Sequence, residues 1–259
     1  MSDAVKHECA VGLLCLRQNR AYFQRKYGNG DYGFGKLALL LEKQHNRGQD
    51  GAGLAVLRLN PEPGTPAYTL EKSAAAEDPL ADLLGRCAGR SDMNGEVLLG
   101  HLRYATYGRE SIDCCHPFVH NSNCLRRTLL LAGNFNLTNA ELLLARFLQA
   151  GHHPASRADG YLITQTIAHY LEQDANRHAG SPDWPGLLRQ ALNPLDGAFT
   201  QSSWSNESSI RSVSNSSNWA FTSSNEAWSL TSLVCAAALS VSRIITTVQT
   251  IFFIIIRRI

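Results

Sequence analysis

TLLLAGNFNLTNAELLLARFLQAG, residues 128–151, decides the class of fold. Its first six residues are apolar nearly throughout and too few for a helix, which suits a strand buried on both faces. Asn139 then stands as the N-cap of a helix, NAELLLARFLQAG, that Gly151 closes. Upstream, VLLGHLRYAT (97–106), GLAVLRL (53–59) and CAVGLLCLR (9–17) read as further buried strands. KLALLLEKQH (36–45) reads as a helix, because Leu37, Leu40, Leu41 and Gln44 recur at helical spacing and Gly48 falls just beyond the end. NPEPGTP (60–66) is a turn or loop, and residues 71–95 hold one short helix around Leu80–Leu84. Downstream, a helix from Asp159 to Asp174 carries Ile163, Ile167, Tyr170 and Leu171 on its apolar face. Pro185 opens another that ends near Asn193, and DGAFT (196–200) begins a strand. Strands come in groups and helices come in groups, which is an α+β pattern and not strict βαβ alternation.

The bulk numbers narrow the function classes. The chain has 259 residues, a formal net charge of +2 and 44% apolar residues, so it is globular and gives no electrostatic case for nucleic acid or an acidic membrane surface. Seven cysteines, at 9, 15, 87, 114, 115, 124 and 235, are odd in number and irregular in spacing. That suits a reducing compartment with one catalytic thiol better than a disulfide scaffold. MSDAVKHE has no apolar core and is no secretory signal. The longest apolar stretch, Leu233 to Ile256, is interrupted by Arg243, so no membrane span is expected and a cytoplasmic enzyme is. Beyond residue 200 the texture changes to Ser- and Asn-rich sequence without Gly or Pro, then to β-branched apolar residues. Residues 201–259 therefore read as an aberrant or disordered tail, such as a shifted reading frame produces, since a native domain needs turn residues to reverse its strands.

Four islands carry the chemistry: KHECAVG (6–12), QHNRGQDGAG (44–53), GHLRYATYG (100–108) and LAGNFNLTN (131–139). Singly, each has a bland reading. A cysteine on a buried strand is usually a small core residue, an arginine in a strand an ion-pair partner, and an asparagine before a helix a cap. In this order and over about residues 6–200, they resemble the class II glutamine amidotransferases, in the amidophosphoribosyltransferase branch. KHEC before the first strand and HNRGQDGAG as the second island resemble a form found in some bacterial lineages. Sugar-phosphate amidotransferases usually carry a different second island.

The resemblance implies a division of labour that matches what amide hydrolysis needs. Residues 1–8 would be a propeptide, removed to leave Cys9 as the N-terminal nucleophile of a domain spanning 9–200. A free α-amine, with a reference pKa of about 7.7–8.0, can hold and relay the proton of its own thiol. Asn134 and the backbone N–H of Phe135 would stabilise the oxyanion. The family usually has His where Gly133 stands and Gly where Phe135 stands, so this chain departs from the pattern on both sides of the asparagine. Arg103 would clamp the substrate carboxylate, Thr106 would add a hydroxyl, and Arg47 and Gly48 would line the substrate. Asp159 is either the acceptor for the substrate ammonium or an ordinary helix cap.

The implied architecture is the four-layer αββα sandwich of N-terminal-nucleophile hydrolases. Glutamine is the implied small-molecule substrate, with no nucleic-acid or membrane partner and no cofactor in this domain. Magnesium belongs to the family's C-terminal phosphoribosyltransferase domain, whose signature is absent here, and the full-length family is expected to be homo-oligomeric. Two other expectations stand beside this one: a catalytically silent truncated product, and the glutaminase domain of a different class II amidotransferase. Cys114, Cys115, His116, His120 and Cys124 have zinc-ligand chemistry, but adjacent cysteines suit one tetrahedral ion poorly, and no metal site is expected.

Overall fold

The computed structural model describes residues 9–105, 111–124, 127–177, 184–199, 201–205, 209–213, 219–220 and 252–255. The proposed propeptide, Thr106 and most of the stretch beyond residue 200 lie outside the described residues. Packing divides the chain into two units, one up to Pro117 and one from Phe118 to Ile255. Both combine helices with antiparallel strands, an α+β composition.

In the first unit, β1 (Ala10–Cys15) leads to helices α1 (Arg20–Tyr27) and α2 (Tyr32–Glu42), then β2 (Gly51–Leu57), β3 (Tyr68–Ser73), α3 (Pro79–Cys87) and β4 (Val97–Arg103). The four strands form one antiparallel sheet in the order β1-β4-β2-β3. Every residue of β2 and β4 is buried, so these two central strands read as continuous apolar runs and not as alternating ones. One face packs Ala52, Leu54, Val56, Leu98 and Leu102 against Leu37 and Leu41 of α2 and Leu80 and Leu83 of α3. Burying one such leucine side chain contributes roughly 2 kcal/mol.

Helix α1 falls where the sequence reads as a polar loop. Its caps are regular: Asn19 accepts the Tyr22 N–H at 3.0 Å, and Gly28, at φ 67°, ends it. It buries only Phe23, which leaves no apolar period to detect. Helix α2 starts four residues before the expected Lys36 and stops at Glu42, after which His45–Arg47 form a 3-10 turn. Strand β3 was also illegible, because it is an edge strand with Ser73 as its one buried residue.

The second unit contains β5 (Phe118–His120), β6 (Leu129–Ala132), β7 (Phe135–Leu137), α4 (Ala140–Gln149), α5 (Asp159–Arg177), α6 (Trp184–Leu192) and β8 (Gly197–Phe199). Short strands follow: β9 (Gln201–Ser205), β10 (Ser209–Val213), β11 (Trp219–Ala220) and β12 (Phe252–Ile255). β6 lies between β5 and β12, β7 pairs with β8, and β9, β10 and β11 form a meander. Its core joins Leu129, Leu131, Leu143, Ile163, Ile167, Leu171, Leu187 and Leu192, and the i, i+4 row of α5 supplies three of them.

Asn139 does occupy the N-cap position of α4, but its side chain makes no cap bond. Its amide donates to the Pro194 carbonyl at 2.8 Å and accepts the Asp196 N–H at 3.0 Å, tying the start of α4 to the segment that enters β8.

Candidate active site

Cys9 stands one residue before β1, one step beyond the Ala10–Leu102 pair, and so opposite the end of β4. Its neighbour there is main chain. The Tyr104 N–H donates to the Cys9 sulfur at 3.4 Å, and the thiol lies 3.8 Å from the Tyr104 carbonyl oxygen. The sulfur thus meets both the donor and the acceptor of one peptide residue, Tyr104.

The strand exit that presents Tyr104 is clamped by Asp50, which the sequence reading left unassigned. The Asp50 backbone N–H donates to the Arg103 carbonyl at 3.0 Å, and its carboxylate accepts the Ala105 N–H at 2.8 Å. Residues 103–105 are therefore held from both sides of Tyr104. The 3-10 turn at His45–Arg47 brings up Gly48, whose position admits nothing larger than hydrogen. A Cβ there would lie 2.7 Å from the Arg103 carbonyl carbon and 2.7 Å from the Leu102 oxygen. Arg47, half-buried, closes that turn by donating its N–H to the Gln44 carbonyl at 2.9 Å.

Arg103 is 7% exposed, and its guanidinium lies beside the buried Cys115 thiol. Burial pushes that thiol up, while the cations of Arg103 and Lys72 pull the other way. Lys72, across the ladder from Gly53 on β3, is itself pushed down by burial. This sheet face thus gathers two cations where an anionic group of a ligand would be favoured. Beside them, the rings of His101 and His116 stack at 4.1 Å and 9°. Burial, His101 and the two cations hold His116 well below the usual imidazole range, so it is neutral at pH 7. Cys115 lies against Gly51, and its thiol is 3.6 Å from the Ser73 carbonyl oxygen. Among the described residues, no group of three or more His, Cys, Asp or Glu is placed to hold a metal ion.

A cavity of about 330 Å³ opens among Leu16, Phe34, Met93, Leu98 and Arg58. Its lining follows β1 and β2 where Cys9 and Asp50 precede them, so it lies about 20 Å along the strands from the cysteine. It is a separate feature from the site.

The remaining candidates belong to the second unit. Asn134 is in the two-residue link between β6 and β7, and Phe135 opens β7, paired with Phe199. Asp159 begins α5, and its carboxylate accepts the Leu137 N–H from β7 at 2.8 Å. Burial raises its carboxyl above the usual range, and that hydrogen bond opposes the rise. The structure therefore brings Cys9, Arg103, Arg47 and Gly48 together in one unit, and Asn134, Phe135 and Asp159 in the other.

No protein-family model matches the chain. Its fold is shared with a glutamine amidotransferase: the glutamine phosphoribosylpyrophosphate amidotransferase from B. subtilis superposes with a TM-score of 0.52 at 19% identity, over 80% of this chain and 37% of that one. In sequence the similarity is to amidophosphoribosyltransferases. The Mus musculus enzyme is 27% identical over 167 residues, and that of Staphylococcus aureus (strain COL) 28% over 160. Each alignment covers 62% of this chain but only 29% and 28% of the relative, so the chain spans under a third of the length of these proteins. A glutamine–fructose-6-phosphate aminotransferase from Thermococcus kodakarensis is 31% identical over 159 residues, covering 23% of its length.

Proposed function

We propose that this chain is the glutamine-hydrolysing part of an amidophosphoribosyltransferase, with Cys9 as the nucleophile. The observation that carries the reading is the Tyr104 N–H on the Cys9 sulfur, next to a buried arginine and held by the Asp50 clamp. Removal of residues 1–8 frees the Cys9 α-amine, which takes the thiol proton. The thiolate attacks the side-chain amide carbon of glutamine. Asn134 and the Phe135 N–H are assigned the oxyanion, a contribution of about 3 kcal/mol per donor. The amine returns the proton to the leaving nitrogen, ammonia departs, and water hydrolyses the thioester to glutamate. Arg103 is assigned the substrate carboxylate and Asp159 its ammonium, with Thr106, Arg47 and Gly48 lining the substrate.

The wider reading follows the same assignment. The fold is assigned to the four-layer αββα class of N-terminal-nucleophile hydrolases. The ammonia serves formation of 5-phosphoribosylamine in purine synthesis, in a cytoplasmic, homo-oligomeric whole protein whose phosphoribosyltransferase domain uses magnesium. Residues 9–200 are the working domain and 201–259 an aberrant extension.

Intact-mass and N-terminal analysis, with and without a glutamine-analogue electrophile, tests the central claim. A chain beginning at Cys9 with one covalent adduct, lost in Cys9→Ala, is the expected result. An unprocessed chain without adduct sinks it.

A further inference from the structure

We propose that Gly133 and Phe135 are an interlocked pair whose task is to position Asn134. The proposal rests on the oxyanion role assigned to Asn134 above. β6 ends at Ala132 and β7 begins at Phe135, so Asn134 sits in a link of two residues between strands of two different sheets. Ordering the backbone of each residue in such a link costs about 1–2 kcal/mol.

The phenyl ring supplies the constraint. It folds back over the link, so that a Cβ on Gly133 would lie 2.5 Å from its Cζ and 2.8 Å from its Cε1. The side chain is partly buried and packs against the apolar cluster that includes Leu129, Leu131, Leu137 and Leu143. The backbone of Phe135 is meanwhile fixed by its ladder pairing with Phe199. Asn134 is thus bracketed by an aromatic ring anchored in the core and a residue with no side chain for that ring to strike. A side chain at 133 therefore requires the ring to move.

This accounts for both departures from the amidotransferase pattern at once. Side-chain bulk has moved from the position before the asparagine to the position after it, and with the ring in this place position 133 must be small. A donor aligned before reaction lowers the barrier without altering how tightly the ground-state amide is held. The pair is therefore expected to act on kcat and not on KM.

Glutamine hydrolysis by the processed full chain tests this, with thermal midpoints recorded for every variant. Gly133→Ala is expected to lower kcat by about tenfold or more, with KM within about twofold, because the added methyl displaces the ring and with it Asn134. In the Phe135→Gly background the same substitution is expected to cost less than about twofold, since nothing remains to strike. If Phe135→Gly does not fold, Phe135→Leu keeps apolar bulk for the core, and there the cost of Gly133→Ala shrinks to an intermediate value. An equal kcat loss from Gly133→Ala in all backgrounds overturns the interlock. A lowered thermal midpoint with kcat intact overturns the positioning role and leaves packing alone. Asn134→Ala separates the two levels. If it leaves kcat unchanged, or the wild-type chain hydrolyses no glutamine, the oxyanion assignment itself fails and the positioning role falls with it.

Discussion

Replacing His116 with phenylalanine should remove a specific part of the acid sensitivity of folding. The ring lies buried against His101, beside Lys72 and Arg103, and all of these disfavour its charged form. The folded-state pKa is depressed, so the group contributes stability that is complete above the unfolded value of about 6.5 and is lost as pH falls toward the folded value. Between about pH 7.5 and 5.5 the unfolded chain takes up close to one proton at this position that the folded chain does not. The upper limit of the loss, reached where the folded ring takes up no proton over this range, is RT ln(11/1.1), about 1.4 kcal/mol. Urea unfolding at the two pH values measures it. Phenylalanine keeps a planar ring over His101 and cannot take up the proton. The difference in unfolding free energy between the two pH values is therefore expected to be smaller in His116→Phe, by up to about 1.4 kcal/mol. An identical pH dependence in both proteins would refute the reasoning, because it would mean that His116 titrates alike folded and unfolded.

Asp50→Ala removes the charged acceptor of the Ala105 N–H and should cost about 1.5–3 kcal/mol of stability, with slower alkylation of Cys9 as Tyr104 loses its fixed position. Denaturant unfolding and iodoacetamide kinetics measure both, and unaltered alkylation would disconnect the clamp from the thiol. Gly53→Ala should destabilise by about 3 kcal/mol or prevent folding, since a Cβ there would overlap the His116 carbonyl. Gly35→Ala, facing open space within α2, should stabilise by up to about 1 kcal/mol. Equal midpoints for the two variants would contradict the packing described. Asp159→Asn keeps an oxygen for the Leu137 N–H and removes a buried charge, so stability at neutral pH should not fall. The wild-type carboxyl, raised by burial, costs stability only as pH climbs through its titration range, so any gain in the variant disappears under acid. If the carboxylate holds a substrate ammonium, KM for glutamine should rise by about tenfold or more.

What could be read from the sequence divides by mechanism. Helices α4 to α6 were legible because they announce themselves locally: Asn139 precedes α4, and α5 repeats Ile163, Ile167 and Leu171 along one face, whereas of α3 only the stretch around Leu80–Leu84 could be read. β2 and β4 were legible because both of their faces are buried. Helix α1, β3 and the three-residue β5 were not, since each contributes one buried residue and owes its form to neighbours distant in sequence. Cys9 and Arg103 stood out from their motif, whereas Asp50, two residues from the assigned Gly48, did not. A side chain that acts by holding another segment's N–H leaves no signature in its own residue type. Asn139 shows the converse: the cap position was legible, but the amide bonds Pro194 and Asp196, 55 and 57 residues downstream.

The glycines of the second island follow from the same main-chain economy. At Cys9 a backbone N–H meets the sulfur, and what fixes it is the backbone N–H and the carboxylate of Asp50, gripping Arg103 and Ala105. A site built from peptide groups needs chain segments to approach more closely than side chains allow. Gly48 lets the turn meet the end of β4, and Gly53 lets the His116 carbonyl rest on β2 and so seats the His116 ring over His101. The spacing of QHNRGQDGAG is thus set by contacts: a turn that must reach β4, an aspartate that must grip it, and a strand that must stay bare where the following loop crosses. Conservative side-chain changes on the outer face of this segment should be tolerated. A single methyl at either glycine should not.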